Sequence, residues 1–291
     1  MSDQVNVAFV QQYANNVAHL LQQRGSKLRD SVMNGTATGK AAKVVEQVGA
    51  VNAQKRTTRH ADTPLISTPH SARWTFPVDY EWADLIDDQD KVRMLINPQS
   101  PYAVNGAYAM GRAIDDEILG AFFGTSKTGE NGSTDEAYDT AAVTDPGGST
   151  TALTIGQLMA AKTQLMENEV DLDNDTIYMA ITAAQHEDLL GMDEIASGDY
   201  NSQKVLVDGS VKAFLGINFI QTERIVGAGD DPTLCPMWAK SGMHLTVWND
   251  ITTKISERED KSYATQVYLK CTVGATRLEE SKVVMLACDD A

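Results

Sequence analysis

Two strings of acids are the places where this chain could do chemistry. The first is DLDND, Asp171 to Asp175. Alternating oxygen ligands of this kind open a calcium loop, in which several carboxylates reach one cation. The remainder of such a loop is missing. Its sixth position is Thr176, where the sharp turn needs Gly, and its twelfth is Thr182, where a bidentate Glu belongs. The string reads as a polar turn joining a helix to a strand. The second is Asp115, Asp116 and Glu117, set in GRAIDDEILGAFFG (residues 111–124). Successive residues on a helix are turned by roughly 100°, so three neighbours fan outward and do not converge. A shared metal would need acids at i and i+3 or i+4. Arg112 precedes Asp115 and Asp116 by three and four residues, a spacing for surface ion pairs worth roughly 0.2–0.5 kcal/mol. Ile114 and Ile118 hold one side of this helix inward. The acids then form its polar face, either wet or turned to a basic part of another subunit.

No other catalytic signature stands out. The histidines His19, His60, His70, His186 and His244 are scattered, and HExxH, GxSxG, GxxxxGK and GxGxxG are all missing. Cys235, Cys271 and Cys288 are widely spaced without a CxxC, which predicts buried thiols and neither a zinc site nor a disulfide framework. No metal and no cofactor is expected. A metal-dependent hydrolase using DLDND or Asp115–Glu117 is the alternative from a different class. It predicts stoichiometric divalent binding that Asp173→Ala abolishes.

The elements that must position these residues follow from periodicity. Val5, Phe9, Tyr13, Val17, Leu20 or Leu21, Arg24 and Leu28 recur at steps of three and four, an amphipathic helix that needs another surface to cover its stripe. GTATGKAAKVVEQVGAV and SARWTFPVDYEW read as strand-like segments. Nineteen aperiodic residues holding Pro64 and Pro69 separate them, too many for a tight turn. The simplest object is a long two-stranded loop projecting from the body. Such a ribbon is marginal alone. Lys55, Arg56, Arg59 and His60 near its tip are then contact residues, or else charges on an exposed loop. Ala107, Met110, Ile114, Ile118 and Ala121 or Phe122 form the stripe of a long helix starting at Pro101, with Ser100 as N-cap and Gly124 as stop. Asp87, Asp88 and Asp90, before Lys91 and Arg93, suit an exposed charged turn. Residues 125–151 read as a loop. TIGQLMAAKTQLMENEV is a second helix capped by Thr154; TIYMAI is a strand, AAQHEDLLGM a short helix, and SVKAFLGINFIQTERI a turn into a buried strand. The C-terminal part is β-rich. Ala264, Val267 and Leu269 alternate with Gln266, Tyr268 and Lys270, with an imperfect step after Ala264, which gives one dry and one wet face.

Composition sets the outer limits. A chain of 291 residues makes one large domain or two ordinary ones. No apolar run approaches the roughly 18 residues that span a bilayer, and MSDQVNVAF lacks the features of a secretory signal. Neither a membrane nor export is expected. A net charge of −16 excludes generic nucleic-acid binding through clustered Lys and Arg. The charge is also polarised. Residues 1–60 carry eight Lys and Arg against three Asp and Glu; residues 61–291 carry sixteen against thirty-seven. A basic arm on an acidic body can lie on its own body or on a neighbour's, and the second arrangement repeats from copy to copy.

This order of parts resembles the major capsid protein of tailed bacteriophages, the Johnson fold, an α+β class. RWTFPVDYEWADLIDDQDKVRMLINPQSPYAVNGAYAMGRAIDDEILGAFFG looks like that family's E-loop return strand entering its spine helix. TIYMAITAAQHEDLLGM and FLGINFIQTERI look like the strand, helix and strand of its A-domain. The resemblance implies an N-arm over residues 1–34, an E-loop over 35–83, a P-domain with a long spine helix over 84–150 and 245–291, and an A-domain over 151–244. It implies hexamers and pentamers tiling an icosahedral shell around double-stranded DNA, which the subunit holds without sequence-specific binding. It implies assembly in the host cytoplasm, a place in the virion, no enzymatic activity, and a portal and a separate scaffolding protein as partners, since the N-terminus leaves little room for a built-in scaffold. Intersubunit contact candidates are Lys55, Arg56, Arg59, His60, Asp115 and Asp116. An encapsulin-type nanocompartment shell protein shares the fold and is the close alternative.

Overall fold

The computed structural model describes residues 22–59, 62–63, 65–87, 99–139, 141, 143, 152–192, 211–225 and 232–289. The predicted N-terminal helix up to Leu21, together with His60, Asp88, Asp90, Lys91 and Arg93, lies outside the described residues. In chain order the described strands are β1 (Met33–Thr36), β2 (Ala42–Val48), β3 (His70–Thr75), β4 (Val78–Ile86), β5 (Ser126–Thr128), β6 (Thr134–Glu136) and β7 (Ile177–Ile181). They continue with β8 (Ala213–Phe214), β9 (Ile217–Gln221), β10 (Thr233–Ala239), β11 (Met243–Arg258), β12 (Ala264–Arg277) and β13 (Val283–Cys288). The helices are α1 (Gln99–Phe123), α2 (Ile155–Glu167) and α3 (Ala183–Gly191). No described helix is long and apolar enough to cross a membrane.

The chain forms two compact units, one of residues 1–26, 79–113 and 249–271, the other of residues 27–78, 114–248 and 272–291. In the first unit the strand order is β11-β12-β4, and α1 packs on this sheet. Val267, Leu269 and Cys271 of β12 meet Met110 of α1 and Ile86 of β4 in its core. Val267 and Leu269 are positions that the alternation assigned to the dry face; Lys270, between Leu269 and Cys271, is exposed. The helix approaches closely because Gly106 faces the sheet. A Cβ there would stand 2.6 Å from Leu269 and 2.7 Å from Trp82, closer than real carbon contacts.

In the second unit a five-stranded sheet runs in the order β13-β10-β7-β9-β8. β7 and β9 are parallel, with Ile177 opposite Ile217, and α3 makes the crossover between them. Pro236 is tolerated in β10 because β7 pairs only from Met237 to Ala239, so its side toward β7 needs no N–H. Trp238 is fully buried at the centre, 4.5 Å between ring centroids from Phe122 of α1, and its indole donates to Ser31 O at 3.0 Å. Arg277 is also wholly buried. Its Nη1 donates to Phe122 O at 2.7 Å and Gly124 O at 2.9 Å, satisfying carbonyls left open at the C-terminus of α1.

Several helix expectations hold. α1 stops at Phe123, one residue before Gly124, and Met110, Ile114, Ile118 and Phe122 are buried. Thr154 caps α2 through a reciprocal box: Gln157 N donates to Thr154 Oγ1 at 3.2 Å, and Thr154 N donates to Gln157 Oε1 at 3.0 Å, an arrangement worth about 1 kcal/mol. α1 begins earlier than expected, at Gln99, so Ser100 is inside the helix and is not its cap. Pro101 still lies in the first turn, where a missing N–H leaves no bond broken.

The two strand-like segments each divide. The first breaks around Gly39, whose φ of +96° favours glycine. β1 then pairs in parallel with β11, while β2 pairs antiparallel with β3. The second breaks at Phe76–Pro77, where β3 leaves β2 and β4 joins β12. The two-stranded ribbon is thus β2 and β3, from Ala42 opposite Thr75 to Val48 opposite His70. The stretch read as a loop from residue 125 contains the short hairpin β5–β6, whose first strand extends the ribbon sheet by pairing Thr128 with Arg73. Three-residue strands are too short to show a period.

Candidate functional site

Among the described residues the loop at the ribbon's end holds the longest exposed run. The ribbon's outer end is closed by Gly49 N donating to Pro69 O at 2.8 Å. Beyond that, every described residue from Val51 to Arg59 is exposed, including Lys55, Arg56 and Arg59; Arg56 Nε bonds only back to Thr58 O at 3.0 Å in its own loop. Apolar side chains stand beside the basic ones. Leu65 is 99% exposed and Val48 63%. A free Leu in water forgoes about 1.5–3 kcal/mol of burial. Basic groups interleaved with bare apolar ones make a surface suited to another protein.

The helix acids divide. Asp116 points outward and forms a bidentate pair with Arg224, Nε to Oδ1 at 2.6 Å and Nη2 to Oδ2 at 2.5 Å. Both partners remain more than a third exposed. Asp115 departs from the polar-face expectation. It is 0% exposed, and its carboxylate accepts Lys27 N at 2.9 Å and Leu28 N at 3.1 Å. The turn that leads into Arg29–Ser31 brings two backbone donors to the helix, and a carboxylate is the side chain that satisfies both. Among the intersubunit candidates Asp115 is therefore taken up inside its own chain.

DLDND is a turn held by its own carboxylates. Asp171 accepts Asn174 Nδ2 at 2.7 Å, which holds its carboxyl below the usual range, and Asp175 accepts Ser241 N through both oxygens at 3.2 and 3.3 Å. Asp173 is exposed. Among the described residues no three His, Cys, Asp or Glu side chains are grouped as a metal site requires.

Sequence reasoning missed a second exposed feature. β11 and β12 meet at a turn, Glu259–Lys261 followed by Ser262 and Tyr263, both with positive φ (+53° and +60°). Tyr263 is 59% exposed and Ile255 lies bare on the strand below it. Two consecutive left-handed residues without glycine are uncommon. The polar run ERED marked only a gap between strands and said nothing of the tyrosine's exposure.

An exposed ribbon, a long helix and two long strands are the parts of a shell-forming subunit of the Johnson fold. The chain belongs to the phage capsid protein family, whose model matches residues 5–290. It is a major capsid protein and its place is the virion. Its fold is similar to that of the cyanophage P-SCSP1u capsid, with a TM-score of 0.78 at 15% identity over 99% of this chain and 95% of that one. It is similar to the cyanophage Pam1 capsid, with 0.72 at 12% identity over 98% and 97%. It is also similar to a chain of Mycobacterium phage Che8, with 0.70 at 13% identity over 96% and 97%. No curated protein sequence matches it.

Proposed function

We propose that this subunit works by assembly and not by catalysis. Hexamers and pentamers of it form an icosahedral shell that encloses double-stranded DNA without reading its sequence, built with a separate scaffolding protein and a portal. Its parts are an N-arm (1–34), an E-loop (35–83), a P-domain (84–150 and 245–291) and an A-domain (151–244). The E-loop lies on a neighbouring subunit, with Lys55, Arg56, Arg59 and His60 toward that neighbour's acidic surface. Asp116, exposed beside Arg224, is an acid available to such a contact.

The observation that carries this reading is the family match over nearly the whole chain. The exposed, basic and apolar ribbon supports the contact. Co-expression with the scaffolding protein, followed by sedimentation and negative-stain microscopy, tests it. Rings and closed shells are expected, and small discrete species alone would overturn it. The contents of purified particles separate a DNA container from an encapsulin-type one, which would hold protein cargo. Reversing Arg56 and Arg59 to Glu should raise the subunit concentration needed for shells while leaving the subunit's unfolding midpoint unchanged. Normal shells from that variant would show that the basic tip makes no contact.

A further inference from the structure

We infer that Arg73 is a positioning residue: its guanidinium fixes the direction in which the β2–β3 ribbon leaves the body and so sets where the ribbon meets a neighbour. This rests on reading the ribbon as the E-loop. A two-stranded ribbon is marginal alone and takes its direction from what holds it. No residue of β2 is buried, and in β3 only Ala72, Arg73 and Thr75 are. Among the described residues the ribbon is held through β3, which also pairs with β5, and through Gln47 of β2.

Midway along the ladder, opposite Val45, Arg73 uses all three nitrogens. Nε donates to Leu278 O at 2.8 Å, Nη2 to Glu280 Oε2 at 2.8 Å, and Nη1 to Glu136 Oε2. The three acceptors come from β6 and from the chain after β12. A planar fork held from three directions fixes both the position and the roll of the strand that carries it. The grip is passed inward. Glu280 Oε1 also accepts Arg277 Nε at 3.1 Å, and Arg277 holds the carbonyls at the end of α1. Gln47 of β2 adds a bond to the same Leu278 O at 2.7 Å, so both ribbon strands are tied to one carbonyl. Trp74 donates to Gly129 O at 2.8 Å, which ties the ribbon also to the β5–β6 turn. The ribbon's direction is therefore continuous with the spine helix through two arginines and one shared glutamate.

Lysine at position 73 keeps the charge but offers donors on one nitrogen in place of a planar fork of three. Arg73→Lys, Arg73→Gln and Glu280→Gln are the variants, each in the full chain. Nitroxide labels at Leu65→Cys and Asp173→Cys report the ribbon against the body by pulsed electron resonance on unassembled subunits. The native cysteines are all buried and stay unlabelled. Unlabelled proteins are used for shell assembly and thermal unfolding. The parent should give one narrow distance distribution. Both Arg73 variants should broaden it about two-fold or more and raise the subunit concentration needed for shells about ten-fold, with Glu280→Gln between. If Arg73→Gln does not fold, Arg73→Lys and Glu280→Gln carry the test. An unchanged distribution with only a lower unfolding midpoint would make Arg73 a plain stabiliser and overturn the inference. A broadened distribution with normal shells would overturn it too, since direction would then not matter. Failure of the parent to assemble would instead remove the capsid reading, and the distance measurement on subunits keeps the two failures apart.

Discussion

Asp115 and Asp116 differ by one step of helical rotation, and that step separates an interior bond from a surface one. Asp115 satisfies two backbone N–H groups, one of them the fully buried Leu28. Asp115→Ala removes both bonds and should cost about 2–4 kcal/mol, roughly 1–3 for the buried Leu28 N–H and about 1 for the part-buried Lys27 N–H. Asp116→Ala removes an exposed pair and should cost less than about 1 kcal/mol. Denaturant unfolding of the unassembled subunit compares the two, and equal losses would contradict this placement. His244 supplies a second residue-scale test. Its ring packs over Gly35 of β1, with Nδ1 3.1 Å from Thr246 Oγ1, and burial holds its pKa below the usual value. A depressed folded pKa means that the unfolded chain takes up the proton first. The stability this confers is complete above the unfolded value of about 6.5 and is lost as pH falls toward the folded value. The unfolding midpoint should therefore drop between pH 7 and pH 5, and His244→Gln should flatten that dependence. An identical slope in both proteins would remove the histidine from the account.

At the scale of elements, α1 carries glycines of opposite consequence. A Cβ on Gly111 would lie 2.5 Å from Gly25 C and 2.6 Å from Ser26 N, both backbone atoms that cannot turn aside. Gly111→Ala should destabilise by about 1–3 kcal/mol, overpacking exceeding the propensity gain. A Cβ on Gly120 would meet nothing within 4 Å, so Gly120→Ala should stabilise by about 0.5–1 kcal/mol. Thermal unfolding of both variants should show shifts of opposite sign. The same helix shows what was legible in the sequence. Its apolar stripe, its stop, the Thr154 cap and the alternation in β12 all depend on residues within a turn or a strand of one another, and all were readable. Asp115 turns inward because of donors 87 and 88 positions away, and Arg277 caps a helix end 155 positions away. No local pattern encodes such partners. The division of two strand-like segments into four strands was hidden similarly. Gly39 and Pro77 mark the breaks, but which strand each half joins is decided by β11, β12 and β3. The identity of the fold was legible through the order of its parts, while the ribbon's grip at Arg73 required coordinates.

For the whole molecule the open question is which force seats the ribbon on a neighbour. Its tip presents Lys55, Arg56 and Arg59 beside Val48, Val51, Leu65 and Ile66, and the chain beyond residue 60 is strongly acidic. The two contributions respond oppositely to salt. Added sodium chloride shortens the screening length from about 10 Å at 0.1 M to about 3 Å at 1 M and weakens attraction between exposed charges. Sulfate screens as well, but strengthens apolar burial through exclusion from the surface. If the basic residues seat the ribbon, the subunit concentration needed for shells should rise steadily with sodium chloride. The Arg56→Glu, Arg59→Glu variant should then show the reverse trend, since its repulsion is screened. If Leu65 and its neighbours dominate, chloride should change little, sulfate should promote assembly, and Leu65→Asp should block it at every salt concentration. Assembly that is indifferent to both salts and to Leu65→Asp would place the intersubunit contact elsewhere on the molecule. The exposed turn carrying Tyr263 is the next surface on which to look for it.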